Sequence, residues 1–222
     1  MMKKSKIFVA CDSNKISKIR EIISKTQNSK IKIGYKFGLE FMNSKKGRQF
    51  VSKLKNKIIF VDLKLNDTVN TMLSAVKALK DIKINYLTVH ISSGLAALKA
   101  VKKISGPTRI VGVTTLTSLN NNDLKLIGYN KSVKNLVAHQ AKLAKKANLD
   151  ALVCSPYEVS AVRKIFKKEI ITPGVQIGKK NYDQKRSMEA KKVNSDWLVI
   201  GRAITARGNI KKNIQNLIEK LR

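Results

Sequence analysis

The chain has little of what several protein classes need: two cysteines, two histidines and an aromatic content of 5% in 222 residues. Cys11 and Cys154 are far apart, lie inside apolar runs and have no CxxC partner, so we expect isolated buried thiols and no disulfide. His90 and His139 are too few to build a zinc site, although this count leaves open a metal held by carboxylates alone. The aromatic side chains are too few for an evident base-stacking platform.

Long apolar runs and glycine-rich nucleotide motifs are absent as well. No apolar stretch is long enough to span a bilayer, and the short one in MMKKSKIFVA soon meets Asp12, unlike a signal peptide. We therefore expect a soluble, cytoplasmic protein without a membrane partner. Neither GxGxxG nor a P-loop motif occurs, so no motif in the sequence indicates dinucleotide binding or nucleotide binding by a P-loop. Without a linker or a composition break, residues 1–222 are expected to form one domain.

Basic residues greatly outnumber acidic ones. Lys and Arg total 46 against 14 Asp and Glu, which gives a formal net charge of +32. Such a charge attracts polyanions, but the lysines are scattered along the chain without a basic tail or an aromatic-interleaved stripe. This distribution favours a small anionic substrate over a specific nucleic-acid partner, and a nucleic-acid-binding module without catalysis is the weaker alternative.

Short apolar runs rich in Val and Ile alternate with lysine-rich amphipathic segments such as 70–82 and 134–147. The runs are nearly continuous and of strand length, which is typical of parallel strands that are covered on both faces. They are KIFVAC (6–11), IKIGY (31–35), KIIFVD (57–62), NYLTVH (85–90), RIVGVT (109–114), DALVCS (150–155), EIITPG (169–174) and DWLVIG (196–201). This alternation predicts an α/β fold, a closed (β/α)8 TIM barrel, and an open doubly wound sheet is the competing architecture.

Charged residues interrupt the end of the third run, FVDLKLNDTV (60–69). Because side chains alternate along a strand, Asp62 and Lys64 share one face, which in a barrel would turn toward the mouth. Asp67 follows on the loop and can approach from another direction. A lysine between carboxylates keeps its proton, which suits proton donation better than Schiff-base formation. Taken alone, the triplet is more typical of a solvated ion pair, but polar residues at the other run ends favour a site.

A second group of polar residues predicts a phosphate site. Barrels often bind phosphate through the loops after the seventh and eighth strands, and TPG (172–174) and GRA (201–203) stand at those places. Gly201 lets backbone N–H groups approach an anion, and Arg202 supplies a guanidinium fork for phosphate oxygens. Gln184 lies in the polar loop between them and adds a neutral donor.

Seven blocks of the sequence, in order and over nearly the whole chain, resemble the orotidine 5′-monophosphate decarboxylase family. The most specific block is DLKLNDTVNT (62–71), which is similar to the family's D-x-K-x-x-D followed by an Asn-Thr pair. The other blocks are KIGYKFG (32–38), VTTLTS (113–118), CSPYE (154–158), TPG (172–174), DQKR (183–186) and IGRAIT (200–205).

The resemblance implies a homodimer of barrels that decarboxylates orotidine 5′-monophosphate to uridine 5′-monophosphate in pyrimidine nucleotide synthesis, without a metal or another cofactor. It implies that Lys64 protonates C6 of the pyrimidine while Asp62 lies near the departing carboxylate. Asp67 and Thr71 would reach into the neighbouring subunit's site. The other implied contacts are Asp12 and Lys32 at the ribose, Thr117 at the pyrimidine edge, and Gln184, Gly201 and Arg202 at the phosphate.

The chain departs from the family pattern after TPG. Family members commonly carry an apolar residue and then an arginine there, whereas Val175 is followed by Gln176 in this chain. We therefore expect one phosphate contact to be weaker or to come from a neighbour such as Lys179 or Lys180.

The nearest alternative activity is that of the related sugar-phosphate enzymes, 3-keto-gulonate 6-phosphate decarboxylase and hexulose-phosphate synthase. These share the D-x-K-x-x-D segment but use a magnesium ion. The segments NDTVNT (66–71) and DQKR (183–186) favour the nucleotide enzyme.

Overall fold

The computed structural model describes residues 6–176, 188–189, 193–205 and 208–221, with only the backbone at 176 and 188–189. The strands are β1 (Lys6–Ala10), β2 (Ile33–Gly38), β3 (Ile58–Leu65), β4 (Tyr86–His90), β5 (Arg109–Val113), β6 (Ala151–Val153), β7 (Glu169–Thr172), β8 (Val175–Gln176), β9 (Met188–Glu189) and β10 (Trp197–Ile200). Strands β8 and β9 form a small separate sheet, and the other eight close into a parallel barrel in which β1 pairs with β10. The predicted (β/α)8 barrel is confirmed, and the open-sheet alternative is wrong.

Helices and connections follow the barrel strands. They are α1 (Ile16–Thr26), α2 (Leu39–Met42), α3 (Gly47–Ser52), α4 (Val69–Ala78), α5 (Gly94–Ile104), α6 (Asn121–Leu126), α7 (Val133–Lys146), α8 (Val159–Ile165), α9 (Arg202–Thr205) and α10 (Ile210–Lys220), with a 3-10 turn at Ile91–Ser93. Helix α1 shows why these segments are helical, since its buried residues Ile19, Ile22, Ile23 and Thr26 recur at helical spacing on one face. In the described part of the chain, no helix combines the length and the apolar character that crossing a bilayer requires.

Large side chains at alternate strand positions fill the barrel interior. Phe8, Phe60, Val111 and Ile171, from β1, β3, β5 and β7, belong to one buried cluster, as expected for a layer built from alternate strands. Trp197 stacks on Phe8 with ring centroids 4.0 Å apart. A Cβ atom on Gly34 would lie 2.5 Å from the Phe8 ring, so only glycine leaves room for this aromatic layer. The layer forms a packed floor beneath the C-terminal mouth of the barrel.

The boundaries of two strands differ from those of their apolar runs, and both differences affect the site. The second strand was predicted at residues 31–35, but β2 extends over Ile33–Gly38. Tyr35 and Phe37 are buried on the outer face of β2, toward the helices, so the strand continues past the charged residue between them. Strand β3 runs to Leu65, past the end of its apolar run at residue 62, and so contains the predicted pair Asp62 and Lys64.

Candidate active site

A cavity of about 510 Å³ opens at the C-terminal ends of the barrel strands. This volume lies within the range of roughly 300–1,000 Å³ that is usual for small-molecule sites. Apolar side chains such as Phe60, Val113 and Val199 form much of its wall. The polar and charged side chains in its lining are Asp12, Lys36, Asp62, Lys64, Thr115, Thr117, Cys154 and Arg202. The cavity therefore combines an apolar wall with a dense group of charges on one side.

Four charged side chains of alternating sign lie next to one another on the charged side of the cavity. Lys36 Nζ lies 3.1 Å from Asp12 Oδ1 and 3.6 Å from Asp62 Oδ2, so one ammonium group joins two carboxylates. Lys64 Nζ donates to the same Asp62 Oδ2 at 2.9 Å. The other oxygen of Asp62 accepts a hydrogen bond of 3.0 Å from Thr88 Oγ1, so both carboxylate oxygens have donors. Such mutual pairing is what allows charged groups to be buried.

The pKa shifts agree with this pairing. Burial raises the pKa of Asp62, but Lys36 and Lys64 outweigh burial, and the pKa is lowered below its ordinary value. Burial lowers the pKa of Lys36, but Asp62 and Asp12 outweigh it, and the net shift is upward. Both groups are therefore ionised near neutral pH. Burial, and next the positive charge of Lys64, lower the pKa of His90 at the end of β4, which keeps that imidazole neutral.

Lys64 has an unusual backbone conformation. Its φ angle is +50°, in the left-handed region that non-glycine residues seldom adopt. The pairing of β3 with β4 shifts register between Val61 and Leu65, which marks a bulge around this residue. Backbone strain of this kind costs on the order of 1–3 kcal/mol and is concentrated at functional sites. Asp62 and Lys64 thus meet as the sequence predicts, but across a bulge and not along a regular strand.

The prediction for Lys32 is wrong, because the structure places Lys36 beside Asp12 instead. Lys32 precedes β2, is exposed, and its carbonyl oxygen accepts from the Ile7 N–H near the start of β1, at the opposite end of the barrel. The apolar run 31–35 ends just before Lys36, so the run alone does not predict this residue at the strand's C-terminal end. The signal was present in the sequence: Tyr35 and Phe37 on either side of Lys36 continue the outward apolar positions.

Asp67 and Thr71 lie outside the cavity of their own barrel. Both are exposed and absent from its lining. Asp67 Oδ1 accepts from the Thr68 N–H at 2.6 Å, and Thr68 Oγ1 lies 3.1 Å from Thr71 Oγ1. These contacts fix the start of α4 and leave the second carboxylate oxygen of Asp67 available for another contact. Within one chain, Asp67 and Thr71 are therefore not part of the cavity lining that contains Asp62 and Lys64.

The predicted phosphate and pyrimidine residues are described in part. Thr117, Gly201 and Arg202 all line the cavity, and Gly174 beside them has a φ of +74°, which favours glycine. A Cβ atom on Gly201 would lie 3.4 Å from Ala10 Cβ and 4.0 Å from Asp12 Oδ2, which places this glycine close to the carboxylate of Asp12 in the cavity wall. Gln184 lies outside the described residues, and only the backbone of Gln176 is described.

The two cysteines are buried, as the sequence predicts. Cys11 and Cys154 are both buried free thiols, and burial raises the pKa of Cys11. Within the described ranges, no group of three or more His, Cys, Asp or Glu side chains is arranged to hold a metal ion.

Comparison with known proteins gives one consistent family. The sequence model of the orotidine 5′-phosphate decarboxylase / HUMPS family matches residues 5–217. The orotidine 5′-phosphate decarboxylase of Wolbachia pipientis from Culex pipiens is 39% identical over 213 residues, covering 91% of this chain and 94% of the relative. The enzyme of that name from the Wolbachia of Brugia malayi is 40% identical over 212 residues, covering 91% of this chain and 93% of the relative.

A solved structure supports the same assignment. The crystal structure of orotidine 5′-phosphate decarboxylase from Lactobacillus acidophilus aligns with a TM-score of 0.82 at 27% sequence identity. The alignment covers 98% of this chain and 99% of that chain. Similarity therefore extends over the whole barrel and is not confined to one motif.

Proposed function

The chain belongs to the orotidine 5′-phosphate decarboxylase / HUMPS family, whose decarboxylases are carboxy-lyases, and we propose that it converts orotidine 5′-monophosphate to uridine 5′-monophosphate and carbon dioxide in pyrimidine nucleotide synthesis. The observation that carries the proposal is the alternating array Asp12–Lys36–Asp62–Lys64 at the wall of the barrel-mouth cavity. In this proposal residues 1–222 act as one barrel domain in the cytoplasm.

Lys64 is the proposed proton donor. Cleavage of the bond between C6 and the carboxylate releases carbon dioxide and leaves an electron pair at C6 in an sp² orbital, which the ring does not delocalise. A proton from Lys64 Nζ then forms the C6–H bond, and the neutral amine regains a proton from water. The 2.9 Å contact with Asp62 supports this role, because it fixes the position of the Lys64 ammonium group in the cavity.

Asp62 and Lys36 supply the preorganised electrostatics in this proposal. Decarboxylations of this kind have high barriers, and enzymes reach accelerations of about 10¹⁷-fold, roughly 23 kcal/mol, in demanding cases. A fixed ammonium beside the developing carbanion stabilises the transition state without reorganisation during the reaction. Asp62 lies between Lys64 and Lys36, where it would face the departing carboxylate of the substrate.

The reaction is proposed to proceed without a metal or another cofactor. The carboxylates that line the cavity, within the described ranges, are Asp12 and Asp62, and both bind lysine ammonium groups. A divalent cation would have to displace Lys36 or Lys64 to reach these oxygens. The donor set therefore supports charge stabilisation by lysine in place of a divalent cation.

The remaining cavity residues are proposed to bind the rest of the nucleotide. Asp12 and Lys36 would contact the ribose hydroxyls, and Thr117 would face the pyrimidine edge, since all three line the cavity. Arg202 and the Gly201 backbone would hold the phosphate, together with Gln184. Binding of this remote phosphate helps to order the site around the reacting carbon.

We expect the active form to be a homodimer. Asp67 and Thr71 are exposed and do not line their own cavity, which supports a role for both in the neighbouring subunit's site. Large exposed apolar side chains on the connections that follow β2, β3 and β5 offer candidate contacts for the proposed interface. These side chains are Leu39, Val69, Leu126 and Ile127.

The test is the loss of orotidine 5′-monophosphate absorbance in the presence of EDTA-treated protein. We expect turnover that survives the chelator and that is abolished in the folded Lys64→Ala variant. Turnover that requires added magnesium, or turnover of 3-keto-gulonate 6-phosphate or hexulose phosphate instead, would assign the chain to the sugar-phosphate branch. Folded protein with no activity on the nucleotide would contradict the proposal.

A further inference from the structure

Thr88 joins the two charged catalytic groups from beneath the cavity. It lies on β4, is fully buried and is absent from the cavity lining. Its Oγ1 accepts a hydrogen bond of 2.8 Å from the backbone N–H of Lys64 and lies 3.0 Å from Asp62 Oδ1. One hydroxyl group therefore contacts the main chain of the proposed proton donor and the side chain of its carboxylate partner.

The direction of both hydrogen bonds follows from the groups involved. The Lys64 N–H can only donate, so the Thr88 oxygen accepts from it. Asp62 is ionised because its pKa is lowered, and an ionised carboxylate can only accept, so the Thr88 proton points to Asp62 Oδ1. The hydroxyl group therefore accepts one hydrogen bond and donates another. Its bond to Oδ1 fixes the rotation of the Asp62 carboxylate so that Oδ2 faces both lysines.

The position of Thr88 in the sheet explains why the N–H of Lys64 needs this partner. Between the pairs Val61–Leu87 and Leu65–Val89, three residues of β3 lie opposite the single residue Thr88 of β4. A backbone N–H in such an interruption has no carbonyl partner across the ladder. The Thr88 side chain replaces the missing carbonyl and thereby stabilises the left-handed conformation of Lys64.

We propose that Thr88 is a positioning residue that holds Lys64 in its strained conformation and orients Asp62 toward both lysines. It touches neither the cavity nor the substrate, so its effect on the reaction passes through those two groups. This inference rests on the proposed decarboxylase function, in which Lys64 is the proton donor.

The experiment compares three variants with an active wild-type enzyme. Thr88→Val keeps the shape of the side chain and removes the hydroxyl, which leaves the Lys64 N–H and Asp62 Oδ1 unpaired. We expect its kcat to fall about 10- to 100-fold while KM stays within about threefold, because the interaction acts at the reacting carbon. Thr88→Ser restores the hydroxyl and should recover kcat to within about threefold of wild type.

Thr26→Val is the matched control. Thr26 is another buried threonine with two side-chain hydrogen bonds, to Ile22 O at 2.7 Å and to Tyr35 OH at 3.1 Å, and it lies on α1 outside the cavity lining. This variant should lose thermal stability but keep kcat within about twofold of wild type. An equal fall of kcat in Thr26→Val and Thr88→Val, or no recovery in Thr88→Ser, would overturn the positioning role.

A readout independent of turnover separates this inference from the function on which it rests. Amide hydrogen exchange measured by NMR should show a protected Lys64 N–H in wild type and in Thr88→Ser, and an unprotected one in Thr88→Val. If Thr88→Val does not fold, Thr88→Ala removes the same hydroxyl and takes its place in every comparison. An unprotected Lys64 N–H in wild type contradicts the positioning role, whereas a protected N–H in a protein inactive on the nucleotide contradicts only the proposed function.

Discussion

At the scale of single residues, Lys36 is a largely buried ammonium group at the centre of the charged array. Its side chain is only 12% exposed and lies between two carboxylates, Asp12 and Asp62. Burial of this ammonium group is tolerated because the carboxylates compensate for lost hydration. Removal of the lysine would leave Asp62 with one lysine partner in place of two and would release Asp12 from its contact with Lys36.

We predict that Lys36→Met lowers kcat/KM for orotidine 5′-monophosphate by at least about 100-fold, since removal of one preorganised electrostatic group at a reacting centre typically costs about 10²- to 10³-fold in rate. Lys32→Met is the matched control, because Lys32 is an exposed lysine just before the same strand and lies at the other end of the barrel. Its kcat/KM should stay within about twofold of wild type. Equal losses in the two variants would contradict the placement of Lys36 in the site.

The same pair of lysines shows what the sequence can predict about the site. Asp12, Asp62 and Lys64 follow or interrupt apolar runs, so strand alternation and the barrel rule place them at the mouth without coordinates. The sequence does not readily identify Lys36 as a site residue, because a charged residue inside an apolar run is easily interpreted as the end of that run. The left-handed conformation of Lys64 has no sequence signal either, since lysine has no intrinsic preference for it.

At the scale of elements, a polar cluster closes the end of the barrel opposite the cavity. Glu169 at the start of β7 accepts from Lys6 on β1 at 3.2 Å, from Tyr86 on β4 at 2.9 Å and from Arg109 on β5 at 3.0 Å. The indole N–H of Trp197 on β10 lies 3.4 Å from the same carboxylate. One side chain therefore links the starts of five strands, at the end where barrel residues serve stability.

We predict that Glu169→Gln destabilises the fold by about 1–3 kcal/mol at pH 7, because Lys6 and Arg109 lose their charged acceptor. Burial raises the pKa of Glu169, but hydrogen bonds from Tyr86 and Lys6 and the positive charges outweigh it, so the pKa is lowered from 4.5. A carboxyl group whose pKa is lowered by folding stabilises the folded state at pH values above its ordinary, unfolded-state pKa. This contribution is lost as the pH falls through the lower pKa of the folded state. The difference between wild type and variant should therefore shrink below about pH 4.5 in thermal or urea unfolding.

Glu21→Gln provides the control for this prediction. Glu21 also pairs with a lysine, Lys18, at 3.0 Å, but both side chains are exposed on α1. Exposed pairs contribute about 0–1 kcal/mol, so this variant should unfold almost like wild type across the pH range. A pH-independent difference in Glu169→Gln would show that the carboxylate charge is not what stabilises the cluster.

The elements themselves were largely predictable. All eight apolar runs correspond to the barrel strands, and the amphipathic segments 70–82 and 134–147 correspond to α4 (Val69–Ala78) and α7 (Val133–Lys146). These assignments succeed because buried parallel strands and one-sided helices have distinct apolar periods. The small β8–β9 pair was not predicted, since two residues per strand are too few to form a period. The bulge in β3 depends on its pairing with β4, which no single segment encodes.

At the scale of the whole molecule, closure of the barrel and assembly of subunits depend on contacts between distant parts of the sequence or between chains. Amino-acid composition alone does not predict these contacts. Closure depends on the pairing of β1 with β10, strands that are almost the whole chain apart. In the proposed dimer two chains of net charge +32 must also meet, and their repulsion is least screened at low ionic strength. Low salt is therefore the condition in which subunits should exchange most readily.

Subunit exchange leads to the last prediction, that Lys64→Ala and Asp67→Asn complement each other. Each variant alone should be nearly inactive, since every site in its homodimer lacks one group. A mixed dimer contains one site with the native Lys64 of one subunit and the native Asp67 of the other. Because a two-fold dimer presents two equivalent sites, random exchange should make about a quarter of all sites native. Asp67→Asn keeps the oxygen that accepts from the Thr68 N–H, so the start of α4 should be undisturbed.

The control mixture pairs Lys64→Ala with Asp62→Asn. Lys64 and Asp62 are in contact at 2.9 Å within one chain, so no site of a mixed dimer can hold both native groups. Activity should therefore return in the first mixture and not in the second, after exchange at low salt is verified by mass tags on the two subunits. Equal behaviour of the two mixtures would place Asp67 in the site of its own subunit or outside the reaction. Recovery confined to the first mixture would show that one barrel supplies the proton donor while its neighbour supplies the second carboxylate.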